Sequence, residues 1–240
     1  MKIYILCDLE GVAGVCDQLH QCNFVHDKLD KGYHAGTFGP FYLQARRLAT
    51  LELNALVEGA LAGGATEIVA WDGHCRFPGG LDYELLHPEA RLVMHAGDGG
   101  PLGLDESFEA LMMHGIHAKA GTPGAVQAHG DFPEQFNWNG KAIGEIGMNC
   151  ALAGWLGIPM ILVSGDRAAI EEARAYTPDA EMVIVKEALH DRAPGVMEHH
   201  PSIQLAPAKA RQVLRQAGQR AVERAKQIPP PPKPPFNPLG

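Results

Sequence analysis

The stretch KIYILCDLEG, residues 2–11, is a short apolar run that ends in two carboxylates separated by one residue. The run from 3 to 8 predicts a buried β-strand. In an extended strand, residues i and i+2 point to the same side, so Asp8 and Glu10 emerge together near the strand's carboxyl end. Two like charges at this range repel, and each raises the pKa of the other. We therefore expect a positive group between them.

Short apolar runs alternate with longer segments of helical period along the rest of the chain. Strands are predicted at 67–72, 90–95, 160–164 and 182–186, and helices at 41–61, 83–86, 106–113, 146–156, 167–176 and 207–228. Residues 11–40 have no clear period and are predicted as loop. The pair Asn139-Gly140 predicts a β-hairpin whose returning strand covers 142–145. This alternation predicts an α/β fold with a mainly parallel central sheet flanked by helices, a β-hairpin insertion and a C-terminal helix.

The predicted domain organisation is a single α/β domain over residues 1–228, within which 97–145 is a candidate small subdomain. Residues 229–240, PPPPKPPFNPLG, are too rich in proline for a helix or a central strand. Two interpretations of this tail stay open: a polyproline II linker, or an arm that lies on a neighbouring subunit.

Composition limits the classes of function. The chain has 240 residues, a net charge of -8 and a pI of about 5.8, which argues against a nucleic-acid partner because phosphate binding depends mainly on Lys and Arg. No stretch approaches ~18 consecutive apolar residues, so no membrane span is expected. The five cysteines show no CxxC spacing, and the first residues do not read as a signal peptide. We expect a cytoplasmic protein with reduced thiols.

Five side chains follow predicted strand ends: Asp8, Glu10, His74, His117 and Glu145. In open α/β sheets, sites form outside the carboxyl ends of the strands. Carboxylates and imidazoles without a thiolate suit zinc, manganese, cobalt or iron. Three carboxylates and a bridging hydroxide are neutralised by two divalent ions, which a carboxylate such as Asp8 would bridge at ~3.5–4 Å, activating a shared water as hydroxide.

Each of these signals has a plainer interpretation. An Asp-x-Glu at a strand end can be a solvated pair, and a histidine after a strand can be a hydrogen-bonded loop residue. Asp72 either caps a turn at Gly73 or partners His74. Asp166 is expected to cap the following helix, and Lys186 is expected to pair with acidic groups near the site.

Seven segments occur in order between residue 2 and about residue 220: DLEGVAG, WDGH, GIHAKAGTPG, AIGEIGMN, SGDRAA, VKEAL and APAKA. Through them the chain resembles the DppA-type zinc D-aminopeptidases. The resemblance implies a dinuclear zinc site with Asp8 as the bridging ligand and Glu10, His74, His117 and Glu145 as the other ligands. It also implies a cytoplasmic homo-oligomer, which is a ring-based decamer in the best-known member.

The same resemblance implies that His129 is the catalytic histidine, with His114 as a weaker substitute because the segment from Pro123 to His129 is one residue longer than in the family. His129 would act as a general base or acid, or as a cation toward a tetrahedral oxyanion; a surface loop histidine is the plain alternative. The chain departs from the family in the loop 16–40 and at its end, where family members continue for a further strand and helix.

The expected function is a metal-dependent aminopeptidase that hydrolyses short peptides or amides with a free N-terminal amino acid, which the resemblance implies is a D-residue. One alternative is a metal-dependent amidase that acts on another small amide. A second is a metal-stabilised oligomeric scaffold without catalysis.

Overall fold

The computed structural model describes residues 1–22, 40–74, 79–94, 100–130, 137–138, 140–195 and 199–238. Its strands are β1 Lys2–Cys7, β2 Glu67–Asp72, β3 Ala90–Val93, β4 Ala110–Ile116, β5 Ala118–Lys119, β6 Ala128–His129, β7 Asn137–Trp138, β8 Lys141–Ala142, β9 Met160–Asp166, β10 Glu181–Ala188 and β11 Ser202–Gln204. The α-helices are α1 Pro40–Ala62, α2 Glu145–Leu156, α3 Arg167–Arg174 and α4 Pro207–Arg224. Within these ranges, no helix has the length and apolar character needed to cross a membrane.

Seven strands form the central sheet in the order β11-β10-β9-β4-β1-β2-β3. All neighbouring pairs are parallel except β10 with β11, which is antiparallel. The predicted α/β class is therefore confirmed. Because β1 lies between β4 and β2, the carboxyl ends of these three strands are adjacent.

A helical layer covers each face of the sheet. Successive residues of β1 alternate between the two faces, as a pleated strand requires: Ile3 and Ile5 pack with α1 and α4, whereas Tyr4 and Leu6 pack with α2 and α3. Asp8, His74 and His117 follow the ends of β1, β2 and β4, which are buried on both faces, so the backbone of these residues is held firmly.

The helix predicted at 106–113 is wrong, because this region contains the strand β4. All seven residues of β4 are buried. A central parallel strand is apolar on both faces, so it lacks the period of two that would identify it.

The predicted hairpin is present as the antiparallel pair β7–β8, although Asn139 lies outside the described residues. The returning strand ends at Ala142, and Glu145 is the first residue of α2. The prediction that Glu145 ends a strand is therefore wrong.

Other bounds differ by a few residues. β3 ends at Val93, and His95 of the predicted strand lies outside the described residues. The segment predicted as loop contains a short π-helix at Gln18–Cys22, and residues 23–39 lie outside the described part. α4 is followed by 3-10 turns at Ala225–Gln227.

The described part of the Pro-rich tail packs on its own chain. A Cβ added at Gly154 of α2 would lie 2.4 Å from the carbonyl oxygen of Pro232 and 2.6 Å from that of Pro231. The ammonium of Lys233 lies 4.2 Å from the ring centre of Trp155. Residues 231–233 thus contact α2 of their own chain, and the two interpretations of the tail stay predictions.

Candidate metal centre

The site forms where β1, β2 and β4 end. Asp8 follows β1 directly, His74 comes two residues after β2, and His117 follows β4. Glu145 enters from the first turn of α2, and His129 is the last residue of the short strand β6. The parallel order of the sheet therefore brings together residues that are up to 137 positions apart.

The loop that carries both N-terminal carboxylates lies directly on the end of β4. The N–H of Asp8 donates to the carbonyl of His114 at 2.8 Å, and that of Gly11 donates to Gly115 at 2.7 Å. Gly115 has a φ of +70°, and a Cβ there would lie 2.4 Å from the carbonyl oxygen of Asp8. Only glycine allows both this conformation and this approach.

Asp8 lies between two histidines. Its Oδ1 is 3.1 Å from His74 Nδ1, and its Oδ2 is 3.5 Å from His117 Nε2. Glu10 Oε2 lies 2.9 Å from the same nitrogen of His74, and Glu145 Oε1 lies 3.5 Å from the same nitrogen of His117. The structure thus forms two triads, Asp8–Glu10–His74 and Asp8–His117–Glu145, that share Asp8.

Backbone carbonyls orient both imidazoles. His74 Nε2 lies 2.7 Å from the carbonyl oxygen of Cys22, and His117 Nδ1 lies 2.8 Å from that of Ala118. A carbonyl only accepts, so the ring nitrogen that faces it must donate. This leaves His74 Nδ1 and His117 Nε2 directed at the carboxylates, the arrangement by which proteins orient histidine ligands.

The pKa values of Asp8 and Glu10 are shifted in opposite directions. Burial, together with the charge of Glu10, raises the pKa of Asp8 to about 6. Burial alone would also raise the pKa of Glu10, but the imidazoles of His74 and His129 outweigh it and hold that pKa well below its usual range. Burial disfavours the charged imidazole of His117, yet Glu145 and Asp8 raise its pKa well above the usual value. These shifts follow from burial combined with the charges of the neighbouring carboxylates and imidazoles.

The residues present fit a metal ion. Asp8 Oδ2 and His117 Nε2 are buried without a hydrogen-bond partner, although they lie only 3.5 Å apart. An unpaired buried polar atom costs about 1–3 kcal/mol, and a cation between the two atoms would satisfy both. Carboxylate oxygen and imidazole nitrogen are ligands that zinc accepts.

His129 lies at the edge of this cluster. Its Nε2 is 3.2 Å from Glu10 Oε1, and its ring stacks on that of His117 with centres 3.9 Å apart. The side chain is 29% exposed, whereas that of His117 is 2% exposed. His114 is fully buried, its Nδ1 is 3.0 Å from Ser164 Oγ, and burial lowers its pKa to about 4. Of the two histidines, only His129 reaches both the cluster and solvent.

Two neighbouring carboxylates stabilise turns. Asp72 accepts from the N–H groups of Gly80 at 2.8 Å and Leu81 at 3.2 Å. Asp166 accepts from Ala169 at 2.8 Å, which confirms its predicted role as the cap of α3. Asp166 also accepts from Val126, in the segment that leads to His129.

Sequence reasoning missed the carbonyl of Cys22 and misjudged Lys186. The ammonium of Lys186 bonds to backbone carbonyls, including that of Glu10, where an acidic side chain was expected. The available signal was a lysine inside the apolar strand MVIVKEA, since an unpaired lysine is almost never fully buried.

Comparison with known proteins places this geometry in a family. The family model described as D-aminopeptidase (Peptidase_M55) matches residues 1–237. The chain belongs to this D-aminopeptidase family. The curated D-aminopeptidase of Bacillus subtilis (strain 168) is 31% identical over 242 residues, which cover 98% of this chain and 79% of that protein.

A solved structure gives the same family relationship. It is the Zn-dependent D-aminopeptidase DppA from Bacillus subtilis, described as a self-compartmentalizing protease. It aligns with a TM-score of 0.77 and 30% identity, covering 98% of this chain and 78% of that one. The expected family resemblance is therefore confirmed, and the overall fold agrees with that of a D-aminopeptidase.

Proposed function

We propose that this member of the D-aminopeptidase family is a metal-dependent aminopeptidase that hydrolyses short peptides or amides with a free N-terminal D-amino acid. The observation that carries the proposal is the pair of triads that share Asp8, in a chain whose relatives are D-aminopeptidases. A carboxylate shared between two ligand groups is typical of two-metal hydrolases.

We propose zinc as the metal, with two ions per chain. Glu10 and His74 would hold one ion, His117 and Glu145 would hold the other, and Asp8 would be a ligand of both. The support is the donor set, the unpaired atoms of Asp8 and His117, and the zinc dependence of the structural relative. Manganese, cobalt or iron are the alternatives for the same donors. Bound zinc would lower the pKa of a water and polarise the scissile carbonyl.

The chain's own residues would supply positioning and proton movement. The carbonyls of Cys22 and Ala118 keep His74 Nδ1 and His117 Nε2 directed at the carboxylates. His129, partly exposed and held by Glu10, is placed to move a proton at its Nε2 or to stabilise negative charge on the reacting carbonyl oxygen.

A panel of small amides tests the activity. Purified zinc-loaded protein is assayed on D- and L-aminoacyl amides and on the same amides with an acetylated amine. We expect hydrolysis of the free-amine D-compounds and little of the acetylated ones. Activity confined to acetylated compounds would replace the proposal with the amidase alternative, and no hydrolysis of any compound would favour the scaffold.

We also propose a cytoplasmic homo-oligomer, with a decamer as the specific expectation. The support is the structural relative, which is described as self-compartmentalizing. Light scattering after gel filtration should give about 258 kDa for a decamer, ten times the chain mass of 25.8 kDa. A mass of one chain would contradict the proposal.

A further inference from the structure

Lys186 is a buried lysine near the candidate metal centre, and the proposed chemistry assigns it no role. It lies on β10, is 2% exposed, and its ammonium donates to the backbone carbonyls of Glu10, Val12 and Val15. An ammonium has three N–H donors, so this one is fully used by three carbonyls of one short loop.

An irregularity in the sheet directs Lys186 inward. Ile184 pairs with Gly165 and Lys186 with Asp166, so Val185 is an extra residue on this strand. Such a bulge interrupts the alternation of side chains, and the consecutive residues Val185 and Lys186 are both buried. Bulges often redirect a side chain beside an active site.

Two further side chains hold the same loop from other elements. Glu52 of α1 accepts from the N–H of Ala13 at 3.1 Å, and Gln204 of β11 accepts from that of Gly14 at 2.6 Å. Besides the backbone bond from Gly11 to Gly115, the loop 10–15 is thus held by side chains from three other elements, and its first residue, Glu10, belongs to the candidate metal centre.

We propose that Lys186 is a positioning residue for the metal centre. It draws three carbonyls to one point and so fixes the backbone of the loop 10–15, which directs the carboxylate of Glu10 at the ion. Without the ammonium, the three inward carbonyl oxygens lose their common donor, although that of Val12 still accepts from the N–H of Val15 at 3.2 Å. Repulsion between the three oxygens then moves the loop. This inference rests on the proposed zinc site and does not depend on the identity of the substrate.

The test is a zinc titration of Lys186→Met, which keeps the length of the side chain and removes its charge and donors. Zinc is titrated against a chelating dye, and folding is followed by circular dichroism and gel filtration. We expect zinc affinity to fall by roughly 10–100-fold, the usual loss when a group that supports a ligand is removed.

Two controls separate positioning from general stability. Lys209→Met removes an exposed lysine of α4, and Ile170→Ala of α3 weakens the core cluster that does not include Val12, Ala13 and Val15 of the loop. Both should bind zinc like the wild type, even though the second variant unfolds more easily.

A milder variant covers the case in which Lys186→Met does not fold. Gln204→Leu, on the edge strand β11, removes the acceptor for Gly14 and one donor to the hydroxyl of Ser202, and it leaves Lys186 in place. We expect a loss of zinc affinity of roughly threefold to tenfold, smaller than that for the lysine. Zinc affinity within twofold of the wild type in every variant that folds would overturn the proposal. If the wild type binds zinc but cleaves no D-aminoacyl compound, the proposed activity falls while the titration still decides the role of Lys186.

Discussion

Asp8 faces His74 with one carboxylate oxygen and His117 with the other, so it is the residue that the two triads of the candidate metal centre share. Asp8 and Glu10 do lie close together, since both approach His74 Nδ1. The strand rule for i and i+2 is not the reason, because β1 ends at Cys7 and Glu10 lies in a turn. The role of Lys186 was not predictable, since its contact with Glu10 joins residues 176 positions apart and depends on a bulge.

At this scale, His129→Ala should lower kcat by about 10²–10⁴-fold, the usual contribution of a positioned acid or base. Zinc content should stay the same, because the proposed ligands are retained. The measurement is kcat on a D-aminoacyl amide together with metal analysis. His190→Ala, an exposed histidine outside the cluster, is the matched control. Equal rates in the two variants would remove His129 from the mechanism.

The buried carboxyl group of Glu52 should make the free energy of unfolding depend on pH. Burial raises its pKa from 4.5 to about 8, so the folded protein keeps a proton in this window that the unfolded chain has released. The corresponding stability is present below pH 4.5 and is lost as the pH rises through 8. Glu52→Gln should therefore match the wild type in acid and exceed it in free energy of unfolding above the window. Urea unfolding on both sides of the window tests this, and parallel pH curves for the two proteins would contradict it.

At the scale of elements, the two wrong predictions, for β4 and for Glu145, have different causes. The strand β4 reads as a helix because burial on both faces removes the alternation that marks a strand. Glu145 belongs to one of the quoted motifs, but only two residues, Ile143 and Gly144, separate β8 from α2. Two residues are too few for a sequence pattern to distinguish the end of a strand from the start of a helix. Strands β1, β2 and β9 were predictable because each is short, apolar and flanked by turn residues.

The contact between the tail and α2 gives a prediction with an unexpected sign. Ala is favoured over Gly inside a helix by about 1 kcal/mol, but a Cβ at Gly154 meets the carbonyls of Pro231 and Pro232. Gly154→Ala should therefore destabilise the protein and release the tail to proteases. Urea unfolding and limited proteolysis measure both effects.

Gly100→Ala is the matched control, because a Cβ there meets no atom within 4 Å. An increase in stability with Gly154→Ala, and a tail as resistant as before, would show that the tail does not pack on α2.

At the scale of the whole molecule, alternation of strands and helices predicted the class, whereas the order of the strands did not follow from the sequence. The order β4-β1-β2 brings Asp8, His74 and His117 together, and it is set by packing between distant segments. Residues after strand ends were therefore predictable as a group, while the pairing of each with its neighbour required the structure.

The central claim is a two-ion centre that shares Asp8. A crystal structure of the zinc-loaded protein, with anomalous data collected above and below the zinc edge, tests it most directly. The account predicts two zinc peaks per chain, one beside His74 and Glu10 and the other beside His117 and Glu145, with the carboxylate of Asp8 between them. A single peak, or peaks away from these residues, would contradict it.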